Sequence, residues 1–120
     1  MTKIMSSEPI PKLADQDPGK EGENALHINY YNVKKASLVL RSLNHKLRQQ
    51  ILKIINENDK LAVTEIYVKL RLEQSVASQH LAILRKSGIV LTKREGKFIY
   101  YTINKNRIEA IDSFVSKLVG

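Results

Sequence analysis

A mainly α (α+β) fold, with elements in the order α-α-α-α-β-β-α and a two-stranded wing, is what three features of this 120-residue chain predict. Apolar residues recur at helical spacing in several stretches from Tyr30 onward. Two of those stretches are short and separated by only "RLEQ", Arg71 to Gln74. Two runs of alternating apolar and polar residues then flank Glu95-Gly96, and an amphipathic segment closes the chain.

Each element has its own signal. Residues 1–28 hold Pro9, Pro11, Pro18, Gly19 and Gly22, mixed charges and few large apolar residues, so they are expected to form a disordered tail. The folded domain is expected over 29–120. Val33, Ala36, Leu40 and Leu43 follow a helical repeat that Asn44 breaks. A second helix is predicted from His45 to Asn56, with Leu47, Ile51, Ile54 and Ile55 inward, and "NENDK" (Asn56 to Lys60) as a turn. "VTEIYVKL" (Val63 to Leu70) and "SVASQHLAILRK" (Ser75 to Lys86) are two helices on a tight link, which describes a helix-turn-helix, although the glycine common in that turn is absent. Gly88 stands just beyond the second of them, with Arg85 and Lys86 in its last turn, as helix ends require. "IVLTKR" and "KFIYYTI" read as a hairpin around Glu95-Gly96, with Tyr100 and Tyr101 on opposite faces so that one of them is core. A last helix from about Asn104 carries Ile108, Ile111, Val115 and Leu118 as an apolar stripe, with Phe114 beside it.

Charge points to a partner. The tail has three Lys against five Asp/Glu, net −2, whereas residues 29–120 have 17 Lys/Arg against seven Asp/Glu, net +10. A domain this basic suits a polyanion, nucleic acid before an anionic membrane. No run of about 18 apolar residues is present, so no transmembrane helix and no membrane partner are expected. The N-terminus is too polar for a secretory signal, which makes the cytoplasm the expected location. The absence of Cys excludes disulfides, thiolate metal sites and Cys nucleophiles. No phosphate-cradling Gly loop, nucleophile–base pair or metal-ligand cluster is visible, so no enzyme activity, cofactor or metal is expected.

On a helix at 100° per residue, Ala77, Leu81 and Leu84 share one arc, with Val76 and Ile83 bordering it and His80 at its flank. The opposite arc holds Ser75, Ser78, Gln79, Ala82, Arg85 and Lys86, without an acid. Such an arc suits the major groove of duplex DNA: short side chains let the backbone approach, Gln79 can pair with adenine, and Arg85 and Lys86 can meet phosphates. The alternative is a solvated face that happens to lack acids. Lys93, Arg94 and Lys97 surround the hairpin tip, where they can straddle the DNA backbone or simply keep an edge soluble.

"LEQSVASQHLAILRKSGIV" and "KREGKFIYYTIN" resemble the ArsR-type winged helix-turn-helix repressors, over roughly residues 33–118. The resemblance implies a homodimer that binds an inverted-repeat operator and represses transcription. It makes Gln74, Ser75, Ser78, Gln79 and His80 the DNA-facing set and places Arg94 and Lys97 in the wing. His80 thus has two readings, a DNA contact by resemblance and a core-edge residue by helix geometry. The resemblance also puts the first and last helices at the dimer interface, where Val33, Leu40, Ile108, Ile111, Phe114, Val115 and Leu118 would lie. Family members that sense metals use Cys in the helix-turn-helix or Asp/His/Glu clusters on the last helix. Here the last helix offers Glu109 and Asp112 but no His, and His45 reads as a surface or capping residue. No effector can be named. The competing function is a winged-helix module that binds an acidic protein partner.

Overall fold

The computed structural model describes residues 25–120, which fall into two compact units, residues up to Ala36 and Ser37–Gly120. Most of the tail expected over 1–28 lies outside the described residues; its last four, 25–28, carry neither helix nor strand. Helix α1 (Tyr30–Leu43) starts where Asn29 Oδ1 accepts from the Asn32 N–H at 3.1 Å, a side-chain N-cap. In the same first unit the Lys35 ammonium sits 5.2 Å from the centre of the Tyr31 ring.

The second unit is built in chain order from the end of α1, then α2 (Lys46–Asn58), β1 (Leu61–Ala62), α3 (Val63–Leu70), α4 (Gln74–Lys86), β2 (Val90–Glu95), β3 (Phe98–Ile103) and α5 (Lys105–Val119). Its core is Ile51 and Ile55 of α2, Leu61 of β1, Ile66 of α3, Leu81 and Leu84 of α4, and Ile89-Val90, all at most 3% exposed. Each contributes roughly 1.5–3 kcal/mol by leaving water. Tyr101, Ile103, Ile108 and Ile111 pack against this cluster from β3 and α5. Tyr101 is therefore the core-facing member of the tyrosine pair.

Three details differ from the sequence reading. The sheet has a third strand, in the order β1-β3-β2, because Leu61 and Ala62 pair antiparallel with Tyr101 and Tyr100. The second helix continues through Asn58, whose side-chain Nδ2 donates to the Ile54 carbonyl at 2.7 Å, so the turn begins only at Asp59, in the left-handed region at φ 66°. The hairpin link is Gly96-Lys97, since Glu95 still pairs with Phe98. Gly96 at φ 64° with Lys97 outside the positive-φ region has the form of a type II′ hairpin turn.

The missing turn glycine is explained as well. Arg71 takes the left-handed conformation (φ 55°, ψ 48°) that a glycine would supply, and the N–H groups of Arg71 and Leu72 close the end of α3 onto the carbonyls of Val68 and Tyr67. The closing bonds offset the roughly 1–2 kcal/mol that an L-residue loses there.

Candidate nucleic-acid interface

Helix α4 divides as the sequence predicts. Ala77, Leu81 and Leu84 are fully buried, while Gln74, Ser75, Ser78, Gln79, Ala82, Arg85 and Lys86 are exposed. Ile83, placed by sequence at the border of the apolar arc, is 41% exposed. No acid stands on the exposed face; Glu73 precedes the helix as its N-cap residue, without a side-chain capping bond.

The far end of α4 is fixed in position. The Gly88 N–H donates to the Arg85 carbonyl at 2.9 Å and the Ile89 N–H to the Leu84 carbonyl at 3.0 Å, a Schellman closure with Gly88 at φ 76°. Asn104 Nδ2 then donates to the Gly88 carbonyl (2.9 Å) and Arg107 Nε to the Ser87 carbonyl (3.2 Å). The same Asn104 caps α5 through its Oδ1, which accepts from the Arg107 N–H at 3.3 Å. One asparagine thus fastens the start of the last helix to the end of α4.

The wing cations Lys93, Arg94 and Lys97 are exposed, and Arg94 Nη1 donates to the Gly96 carbonyl at 3.1 Å across the tip. Among the described residues the ion pairs are Lys53–Glu57 and Lys60–Glu95, so none of Arg85, Lys86, Lys93, Arg94 and Lys97 is in an ion pair there. Lys60 meets Glu95 at 2.7 Å and lies 4.7 Å from the centre of the Tyr100 ring, anchoring the wing to the turn after α2. The hydrogen bond raises the Lys60 pKa and lowers that of Glu95, so both stay charged through neutral pH. No hydrogen bond or ion pair joins the polar face of α4 to the wing cations among the described residues.

His80 is half-buried, on the flank of α4 where its helix angle puts it. Its ring lies 4.8 Å, centre to centre, from that of His45, and its Nδ1 is 3.3 Å from Arg48 Nη1. His45 stands at the N-cap position of α2 but makes no side-chain cap; its Nδ1 is buried without a partner among the described residues, so the surface-or-capping reading gives way to packing against His80. The sequence reading missed Arg48 altogether. The signal was present, since 48, 51 and 55 follow the spacing of one helix face.

Desolvation, then the neighbouring His45 and Arg48, hold the His80 pKa below its usual 6.5. Above pH 6.5 the ring is neutral in both folded and unfolded chains. As pH falls below that value the unfolded chain takes up the proton first, and stability declines until the folded ring also protonates. Urea midpoints for the wild-type protein should therefore drop between pH 7.5 and 5.5, and His80→Gln should shrink that drop; equal slopes would show that His80 plays no part in it.

The apolar residues of α5 split into two groups. Ile108 and Ile111 pack on the protomer's own core, whereas Phe114 and Leu118 are 51% and 66% exposed and Val115 is half-buried. Leu40 is half-buried and Val33 half-exposed on α1. Leu38, which the sequence places alongside the α1 stripe, and Val119 are also exposed.

A tight helix-turn-helix, an acid-free second helix and a cationic hairpin braced by a third short strand define a winged-helix DNA-binding protein. Residues 45–92 match the model of the bacterial regulatory protein, arsR family. The chain is 36% identical over 87 residues to the transcriptional activator HlyU of Vibrio cholerae, covering 72% of this chain and 80% of that one. It is likewise 36% identical over 85 residues to the transcriptional repressor PagR of Bacillus anthracis, covering 70% and 84%. The solved structure of Vibrio cholerae HlyU superposes with a TM-score of 0.58 at 34% identity, over 72% of this chain and 94% of that one. The crystal structure of PagR gives 0.59 at 31%, over 72% and 99%. The chain belongs to the ArsR family and is a DNA-binding transcriptional regulator.

Proposed function

We propose that this regulator is a cytoplasmic homodimer that represses transcription by occupying an inverted-repeat operator, with residues 29–120 as its DNA-binding and dimerisation domain. The observation that carries the reading is the face of α4 where Gln74, Ser75, Ser78, Gln79, Arg85 and Lys86 are exposed and, among the described residues, neither Arg85 nor Lys86 is in an ion pair. Gln74, Ser75, Ser78 and Gln79 address base edges and the rim of the major groove, and His80 lies at its flank. Arg85 and Lys86, with Lys93, Arg94 and Lys97 of the wing, hold phosphates. Phe114, Val115 and Leu118, with Val33 and Leu40 of α1 and the outer edges of Ile108 and Ile111, form the dimer seam. A two-fold dimer places two α4 helices about 34–36 Å apart, one turn of DNA. Both signs of regulation occur among the relatives, HlyU being named an activator and PagR a repressor. A dimer seated over a promoter represses by occupancy alone.

Selection of bound duplexes from a random pool tests this directly. The expected product is a two-fold symmetric consensus; an asymmetric consensus would remove the dimer, and no enrichment would remove operator recognition. Substitutions then separate the roles. Gln79→Ala should relax base preference at one position by about 1–3 kcal/mol. Lys93→Ala should weaken all duplexes alike and reduce the salt slope by about 1. Uniform losses from both would refute this division of labour.

A further inference from the structure

Helix α2 carries a guanidinium into the interior of the domain. Arg48 is 8% exposed, and its Nε donates to the Ser42 carbonyl at 2.7 Å, with Nη2 at 3.5 Å from the Arg41 carbonyl. No carboxylate pairs with it among the described residues. Its remaining polar contact is Nη1 to His80 Nδ1 at 3.3 Å.

A guanidinium keeps its protons at any pH a protein survives, and it has donors but no acceptor. In that contact His80 Nδ1 must therefore accept through its lone pair. A neutral imidazole that accepts at Nδ1 carries its proton on Nε2. Nε2 has no hydrogen-bond partner within the described domain and is not among its buried polar atoms. The proton on Nε2 is thus not fully shielded from solvent, on the half-buried flank of α4.

We propose that Arg48 is a positioning residue for DNA binding, which locks His80 in the neutral Nε2–H tautomer so that the ring offers a phosphate oxygen of the duplex one outward, uncharged hydrogen bond. A phosphate is the fitting acceptor because His80 lies on the flank of α4, outside the polar arc, where base edges are out of reach and the sugar-phosphate rim can pass. Ser75, Ser78 and Gln79 make no side-chain hydrogen bond among the described residues and can reorient on binding; His80 alone in the set is held from behind. Fixing the donor in advance removes the loss of ordering it at contact. The inference rests on the reading of α4 as the DNA-facing helix.

Ring-nitrogen NMR of the free wild-type protein at pH 7.5 reads the tautomer without DNA. His80 should show a protonated Nε2 and an unprotonated, hydrogen-bonded Nδ1; an Nδ1–H tautomer or an imidazolium overturns the proposal. In duplex binding, His80→Ala should lower affinity about tenfold for operator and random DNA alike, with the salt slope unchanged because no charge is lost. A change in base preference at one position would overturn the phosphate assignment. Arg48→Met should free the tautomer and lower affinity by a similar factor, and the double variant should lose no more than either single one. Additive losses would make Arg48 a structural residue only. Should Arg48→Met fail to fold, Arg48→Lys keeps the charge without the planar fork and should still blur the tautomer; an unaltered tautomer there overturns the lock. If Gln79→Ala weakens binding and His80→Ala does not, this inference fails alone; if neither does, the reading of α4 falls with it.

Discussion

Replacing Phe114 and Leu118 together by Gln is expected to yield a folded monomer whose affinity for a two-half-site operator falls by ~10³-fold or more, to the level of random duplex. Both side chains are more than half exposed in the protomer, so neither supports its core. Surface changes of this kind leave protomer stability within about 0.5 kcal/mol. In a two-fold dimer each substitution acts twice, and each large apolar side chain withdrawn from the seam removes roughly 1.5–3 kcal/mol. Coupling between half-sites is then lost, and each α4 must bind by itself. Sedimentation velocity and gel shifts on the same samples check this. A variant that still sediments as a dimer would place the seam elsewhere.

Leu81→Ala is expected to lower unfolding stability by about 2–5 kcal/mol. Leu81 is fully buried in the core cluster, on the helix that exposes Ser78 and Ala82. A domain of this size has a total stability of order 5–15 kcal/mol, so the loss removes a large part of the margin against unfolding. Urea unfolding of variant and wild type gives the number. A loss below about 1 kcal/mol would mean that neighbouring residues close the void, and that the core is softer than its burial indicates.

The parts of the fold that could be read in advance are those governed by local periodicity. Ala77, Leu81 and Leu84 are buried as their spacing requires, Gly88 takes the left-handed conformation at the end of α4, and Asn104 caps α5. The exposed face of α4 is legible for the same reason, being the complement of its buried arc. The misses depend on contacts between distant residues. A two-residue strand shows no alternation, and Leu61 becomes β1 only because Tyr101, forty positions later, lies beside it. Asn56 and Asn58 read as turn formers, yet the asparagine amide of Asn58 bonds back into the helix and prolongs it. Glu95 is held in strand register while its carboxylate is engaged by Lys60, which moves the hairpin link one residue on. Arg48 went unread and His45 was read as a surface or capping residue, because polarity was given more weight than position. The contact each makes with His80, more than thirty residues away, cannot be seen in local pattern.

The brace between Lys60 and Glu95 has an electrostatic consequence beyond holding the hairpin in place. Glu95 is the sole anion in the segment from Val90 to Ile103, and a lysine from outside that segment cancels it. The hairpin therefore projects a field of one sign, made by Lys93, Arg94 and Lys97. Without Lys60 a bare negative charge would sit among these cations and shorten the reach of their attraction for any approaching polyanion. Lys60 helps to recruit such a ligand without needing to touch it.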